Sequence, residues 1–308
     1  MTKKILITPK SYYRIREKMV PLLKNYEVKF NETGKTFTEE QMIELAEDVD
    51  GIIIGVDPIT KNVINNASKL KAISKYGVGM DNIDIDAAKK NNIKIKKTPG
   101  TNNISVAELT IGLMFDLSRN ITNSVQRVRN KKWQRAKGIE LTGKTLGIIG
   151  CGDIGKEVVI RAIGLKMNVI INDPYFNKDD LLGNKNIRLV NKDYLLENAD
   201  FISLHLPLNS ETENIIGLKE FKQMNKKTFL INTARGGLVN EKELIWSLKN
   251  DEIAGAGFDV FSAEPPKDET ILKLENFLLT PHMGANTKES VIRMAEMATK
   301  NIINMLDN

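Results

Sequence analysis

A chain of 308 residues with 41% hydrophobic residues has enough apolar side chain to fill two domain cores. Its 45 Lys plus Arg against 39 Asp plus Glu leave +6, carried by scattered lysines without interleaved aromatics, which argues against a nucleic-acid surface and for a mild attraction of anionic substrates. The single cysteine, Cys151, excludes an intrachain disulfide and a cysteine-built metal site. No apolar run approaches the ~18 residues of a membrane span, and Met1-Thr2-Lys3-Lys4-Ile5 opens directly into a strand, so the expectation is a soluble, cytoplasmic protein with no metal.

In chain order, Lys4–Thr8 reads as a strand, Ser11–Leu23 as one helix, Glu27–Phe30 as a strand, and Thr38 as the cap of a helix to about Ala46. Gly51–Val56 is a buried strand, Asn62–Ala67 a short helix, Lys71–Tyr76 a strand, Ile85–Asn91 a helix and Ile93–Lys97 a strand. Regular β/α alternation implies a parallel, doubly wound sheet. Thr98-Pro99-Gly100 breaks the pattern as a linker, and Ile104–Arg119 follows as a long apolar helix. A second alternation runs through strands Lys144–Ile149, Asn168–Asn172, Phe201–Leu206, Thr228–Asn232, Gly255–Val260 and Phe277–Thr280, with helices at Ile154–Lys166, Glu220–Met224 and Glu241–Lys249. The last helix, Thr287–Leu306, has no sheet of its own left to cover. It is therefore expected to cross back, giving a discontinuous first domain, 1–98 and 286–308, and a second domain, 99–285.

The second alternation begins with a chemical signature. Gly150-Cys151-Gly152-Asp153-Ile154-Gly155 is a G-x-G-x-x-G between strand and helix. Gly150 permits the tight turn, Gly152 lets backbone approach a pyrophosphate, and Gly155 lets the helix pack on the strand. The helix N-terminus then offers N–H groups and partial positive charge to phosphate. Asp173 ends the next strand, where a carboxylate takes the adenosine ribose hydroxyls and repels a 2′-phosphate, favouring NAD over NADP.

Ligands of open parallel sheets bind beyond the carboxyl ends of the strands. Three successive strands end there in Thr233-Ala234-Arg235-Gly236-Gly237, in Asp259 with Glu264-Pro265-Pro266, and in Pro281-His282-Met283-Gly284-Ala285. Arg235 offers a fixed fork of donors for a carboxylate. His282 titrates near neutrality and can exchange a proton with a carbinol oxygen, and Glu264 beside it would orient the ring and stabilise imidazolium. With a nicotinamide as hydride carrier, the three suit a 2-hydroxy acid dehydrogenase. His205 also ends a strand and is read as packing beside the cofactor; Trp133 is read as an interface anchor.

The stretches YGVGMDNID, SVAELTIGL, GKTLGIIGCGDIG, NTARGGLVNE, AGAGFDVFSAEPP and LLTPHMGANTKES resemble the D-isomer-specific 2-hydroxyacid dehydrogenases over nearly the whole chain. Within them the closest likeness is to the phosphoglycerate dehydrogenase branch, in its short form without a regulatory domain. The resemblance implies Arg235, Glu264 and His282 as the catalytic set. It implies NAD contacts at Val78, Asp153, Ile154, Asp173, Leu206, Thr233-Ala234, Asp259 and Gly284-Ala285, with Asp259 taking the nicotinamide carboxamide. It also implies a flavodoxin-like substrate domain beside a Rossmann domain, a carboxylate-binding backbone at Gly77-Val78-Gly79, and a homodimer built near Ile104–Leu141. Three positions depart from that branch. Gly55 stands where it usually carries a basic residue, Lys75 replaces a phosphate-gripping Arg, and Asp153 occupies a place often held by a cation. The expected substrate is a small anionic 2-hydroxy or 2-oxo acid, first 3-phosphoglycerate with phosphohydroxypyruvate, next hydroxypyruvate, glyoxylate or another small 2-oxo acid. A reading from a different class is an NAD-sensing, corepressor-like scaffold.

Overall fold

In the computed structural model, residues 2–176 and 185–308 are described. The chain divides into two compact units, one made of the residues through Asn102 together with Ala285–Asn308, the other of Asn103–Gly284.

The first unit runs β1 (Lys4–Ile7), α1 (Lys10–Arg14), α2 (Arg16–Met19), β2 (Glu27–Phe30), α3 (Glu39–Ala46), β3 (Gly51–Ile54), α4 (Lys61–Asn66), β4 (Ala72–Lys75), α5 (Ile85–Lys90) and β5 (Lys94–Lys96). Its five strands pair in parallel in the order β2-β1-β3-β4-β5. Every residue of β3 and β4 is buried, as parallel strands covered on both faces require. One face carries α3, α4 and α5 through Met42, Val63, Ile64 and Ala87 packed on Leu6, Ile52 and Ile54. The other carries Tyr12, Met19 and a C-terminal helix, Lys288–Asp307, whose Met294, Ala298 and Ile302 join Ile5, Ile7 and Ile53. That helix lies so near β3 that a methyl added at Gly51 would stand 2.9 Å from Ile302 Cδ1. Two buried hydrogen bonds pin it, Tyr12 Oη with Thr299 Oγ1 at 2.6 Å and Ser74 Oγ to Ala298 O at 2.9 Å.

One expected element is different. Ser11–Leu23 is not a single helix but α1, α2 and a 3₁₀ turn at Val20–Leu23. Pro21 has no N–H to give to an α-helical carbonyl, so the apolar spacing continues in a tighter turn.

The second unit runs α6 (Asn103–Arg119), α7 (Ile121–Arg129), β6 (Thr145–Ile149), α8 (Asp153–Gly164), β7 (Asn168–Asn172), β8 (Ile187–Leu189), α9 (Lys192–Asn198), β9 (Phe201–Leu204), α10 (Leu218–Gln223), β10 (Phe229–Asn232), α11 (Glu241–Lys249), β11 (Gly255–Phe258) and β12 (Phe277–Leu279). Its seven parallel strands are ordered β12-β11-β10-β9-β6-β7-β8. The chain moves outward from β6 through β7 and β8, then returns to β9 on the other side. The β6/β9 boundary is thus the switch point where such sheets open a crevice. Both faces are covered, one by α6 and α8 through Ala107, Met114, Val158 and Ala162, the other around Leu195, Phe221, Leu244 and Phe258. Two parallel doubly wound sheets are therefore present, as expected. The elements α7, β8 and α9 were not anticipated. Among the described residues, no helix is long and apolar enough to cross a membrane.

Candidate active site

The glycine turn after β6 is shaped by its neighbours. Gly150 has φ +85°, and a Cβ there would lie 2.7 Å from Leu206 Cδ2 and 2.8 Å from His205 O; only glycine suits both restrictions. A Cβ on Gly155 would meet Gly150 O at 2.6 Å, so α8 starts directly against the end of β6. Gly152 is the reverse case. No atom lies within 4 Å of where its Cβ would stand, and the start of α8 has no side-chain cap. An open surface over uncapped N–H groups is what a pyrophosphate needs. Asp173 completes this corner. Its Oδ2 accepts the Cys151 N–H at 2.7 Å and its Oδ1 the Tyr175 N–H at 2.8 Å. The carboxylate is thus fixed beside the glycine turn, with lone pairs left for further donors. Asp153 is exposed at the first position of α8, and Ile154 packs partly into the core beneath. These residues fit a dinucleotide.

Farther along the same sheet edge, β10 ends at Asn232, whose side chain folds over its own loop. Its Nδ2 donates to Arg235 O at 2.8 Å and its Oδ1 accepts the Ala234 N–H at 3.1 Å. Thr233 is tied to α6 through a buried Oγ1–Oγ1 hydrogen bond with Thr110 at 2.8 Å. Arg235 is half-buried, and one Nη1 donor goes to Ala234 O at 2.6 Å. A Cβ on Gly236 would fall 2.1 Å from the carbonyl carbon of Phe261. The Arg235 loop therefore rests on the backbone of the turn that follows β11. In that turn Phe261 N–H donates to Glu264 Oε1 at 3.1 Å.

The third loop is held by Asp259, which is 1% exposed. Its Oδ1 accepts from Thr280 Oγ1 at 2.6 Å and from Met283 N–H at 2.8 Å, and its Oδ2 from Gly284 N–H at 2.8 Å. These bonds bracket His282, which sits at φ +50° with its N–H directed to Asp259 O at 3.0 Å. A left-handed non-glycine residue persists only where its surroundings over-determine it. The result is a 2.7 Å contact between His282 Nδ1 and Glu264 Oε2.

The electrostatics follow from that contact. The Glu264 hydrogen bond raises the His282 pKa above its ordinary value against the opposing effect of burial, with Glu264 and Asp259 charges adding and Arg235 subtracting. For Glu264, burial pushes the carboxyl up, but the His282 hydrogen bond and charge, the Phe261 N–H and the Arg235 charge hold it below its usual range. Arg235, Glu264 and His282 thus act on one another. With side chains 45% and 38% exposed, the His282–Glu264 pair adds little to stability. Its value lies in orientation.

His205 is different. Burial pushes its pKa down to about 3, Nε2 meets Ser203 Oγ at 2.9 Å, and Nδ1 is buried without a hydrogen-bond partner. It stays neutral beside the glycine turn.

The remaining sequence-selected residues belong to the first unit. Lys75 is 7% exposed, and its ammonium donates to Gly55 O at 2.5 Å and Asn82 Oδ1 at 2.6 Å. Gly77 has φ +133°, and its N–H donates to Thr98 Oγ1 at 2.8 Å. Val78 and Gly79 are half-buried, and Ala285 packs on the core under the C-terminal helix. Sequence reasoning missed the supporting residues Gly236, Glu241 and Thr280. The one available signal was that NTARGGLVNE places an acid at the start of the helix after the Arg loop.

Residues 111–284 match the family model of the D-isomer specific 2-hydroxyacid dehydrogenase, NAD binding domain. The chain is 43% identical over 264 residues to a D-3-phosphoglycerate dehydrogenase of Methanocaldococcus jannaschii, covering 84% of this chain and 50% of that one; it spans about half the length of that relative. It is 38% identical over 268 residues to a hydroxypyruvate reductase of Thermotoga maritima, covering 85% and 86% of the two chains. The crystal structure of a glyoxylate reductase from Paecilomyes thermophila superposes with a TM-score of 0.87 at 30% identity, over 100% of this chain and 96% of that one.

Proposed function

Because the chain belongs to the D-isomer-specific 2-hydroxyacid dehydrogenase family, we propose that it is an NAD-dependent oxidoreductase interconverting a D-2-hydroxy acid and its 2-oxo acid. The observation that carries this reading is the 2.7 Å contact of His282 Nδ1 with Glu264 Oε2, which leaves Nε2 as the ring nitrogen for substrate. When bound, the nicotinamide would supply the hydride chemistry, NADH giving hydride to the carbonyl carbon in reduction and NAD⁺ taking it from the carbinol carbon in oxidation. Arg235 grips the substrate carboxylate and polarises the neighbouring carbonyl. His282, its imidazolium favoured by the Glu264 hydrogen bond, donates to the carbonyl oxygen during reduction, and the neutral ring takes the proton back during oxidation. Asp173 holds the adenosine ribose, and the open Gly152 surface accommodates the pyrophosphate. In addition to Arg235, we assign the Gly77-Val78-Gly79 backbone of the five-stranded unit as a substrate carboxylate loop, and the main cofactor contacts to the seven-stranded unit.

The first candidate substrate pair is 3-phosphoglycerate and phosphohydroxypyruvate, in keeping with the 43% identical relative. One observation favours a second reading, an unphosphorylated acid such as hydroxypyruvate or glyoxylate. The Lys75 ammonium is buried and bonded to Gly55 O and Asn82 Oδ1, and Gly55 itself brings no charge. We assign a homodimer interface to α6 and α7, where Phe115, Ile121, Val125 and Val128 are exposed together with Trp133. NADH oxidation with a panel of 2-oxo acids, phosphohydroxypyruvate included, tests the reaction class and ranks the two substrate readings by kcat/KM. Turnover of none of them would replace the dehydrogenase by an NAD-sensing scaffold.

A further inference from the structure

Between the loops of Arg235 and Glu264 stands a third carboxylate. Glu241 is the first residue of α11, a helix capped by the Asn240 side chain, and an acid suits that position in its own right. Its side chain is nonetheless directed elsewhere. Glu241 Oε1 accepts the Ser262 N–H at 2.6 Å, while the preceding amide, Phe261 N–H, goes to Glu264 Oε1 at 3.1 Å. Two successive amides of one turn are therefore held by two carboxylates, one being the partner of His282. The peptide between those amides is the one on which Gly236 rests, with no room for a Cβ. The turn is clamped on one side by the Arg235 loop and on the other by the helix that follows it.

We propose that Glu241 is a positioning residue: by holding the Ser262 N–H it fixes the Phe261–Glu264 turn and so sets where Glu264 meets His282. This rests on the reading of Arg235, Glu264 and His282 as the reacting set. In this reading Glu241 is assigned no contact with substrate or cofactor. The charged groups acting on His282 are Glu264, Asp259 and Arg235, so Glu241 can reach the imidazole only through the turn.

The test uses the full chain with Glu241→Ala, Glu241→Gln and Glu264→Gln, singly and combined. Each is followed by the pH profile of 2-oxo acid reduction, an NADH fluorescence titration and thermal melting. In Glu241→Ala, kcat falls about tenfold or more, since misplacement by ~1 Å can cost ~10²-fold. The alkaline limb of the profile moves to lower pH, and the NADH Kd is unchanged. Glu241→Gln keeps an oxygen for the Ser262 N–H and restores most of both. On the Glu264→Gln background, Glu241→Ala moves the limb no further. If Glu241→Ala folds poorly, Glu241→Asp, one methylene short of Ser262, carries the same expectations. A limb unmoved in Glu241→Ala, or moved equally in both backgrounds, overturns the proposal. Glu264→Gln without effect on kcat or on the limb overturns the underlying reading of the pair instead.

Discussion

His282 Nδ1 and Glu264 Oε2 lie 2.7 Å apart, joining the turn after β11 to the loop after β12. Because this contact raises the His282 pKa, reduction, which consumes a proton from the imidazolium, is expected to persist to pH values above the ordinary histidine range of about 6.5. It then falls as the ring deprotonates; oxidation, which needs the neutral base, gains over the same interval. The pair's small contribution to stability has the same sense on the His282 side, present below the unfolded pKa and lost as pH rises through the folded one. His282→Ala should lower kcat by about 10²–10⁴-fold with NADH binding retained. Paired pH profiles and a fluorescence titration check both points, and lost NADH binding would count against the assignment.

Asp173 is bonded to Cys151 N–H and Tyr175 N–H, so its removal affects the turn as well as the proposed ribose contact. Asp173→Ala should weaken NAD binding and relax discrimination against NADP. Asp173→Asn, which keeps one carbonyl oxygen for the amides, should retain more NAD affinity while still losing the repulsion of a 2′-phosphate. Kd values for NADH and NADPH measure this. An unchanged preference would place ribose recognition elsewhere.

Gly236 touches the Phe261 peptide so closely that a methyl cannot enter without backbone movement. Gly236→Ala is expected to destabilise by about 1–3 kcal/mol, as overpacking does. The Arg235 and Glu264 loops part, and kcat falls by about 10²-fold. Calorimetry and steady-state kinetics together test this. A normal kcat with a lowered Tm would show that the contact is structural only.

Helix α7 buries none of its residues within its own chain, and Val125 and Val128 are 42% and 50% exposed on it. Val128→Glu, alone or with Val125→Glu, should shift the protein from dimer to monomer in sedimentation while leaving the monomer folded. Native-size monomers before mutation would remove this interface.

Much of the site was legible because a parallel sheet delivers all its strand ends to one edge. Residues following β10, β11 and β12 had to meet there, so Arg235, Glu264 and His282 could be selected as a set. What could not be read were interactions set by turn conformation rather than by strand direction. Nothing in the spacing from Glu241 to Ser262 reveals a hydrogen bond, and nothing in ARGG says that its first glycine faces a peptide. Lys75 was legible as a cation at a strand end, but its bonds to Gly55 O and Asn82 depend on the fold of two loops. In the fold, the central strands were plain from their uniform burial. Edge strand β8, three residues long and nowhere fully buried, and helix α7, without buried side chains, left no such mark.

The contact between Gly51 and Ile302 also bears on the order in which the protein takes shape during synthesis. Residues 103–284 emerge as one uninterrupted piece carrying both faces of their sheet. The unit translated first keeps Ile5, Ile7 and Ile53 short of their cover until Met294, Ala298 and Ile302 leave the ribosome. Domains on a growing chain ordinarily mature from the amino end; here the middle is expected to be ready first, with the beginning waiting for the end. Proteolysis of ribosome-bound chains of increasing length would reveal this inversion as late protection of the opening hundred residues, and early protection there would rule it out.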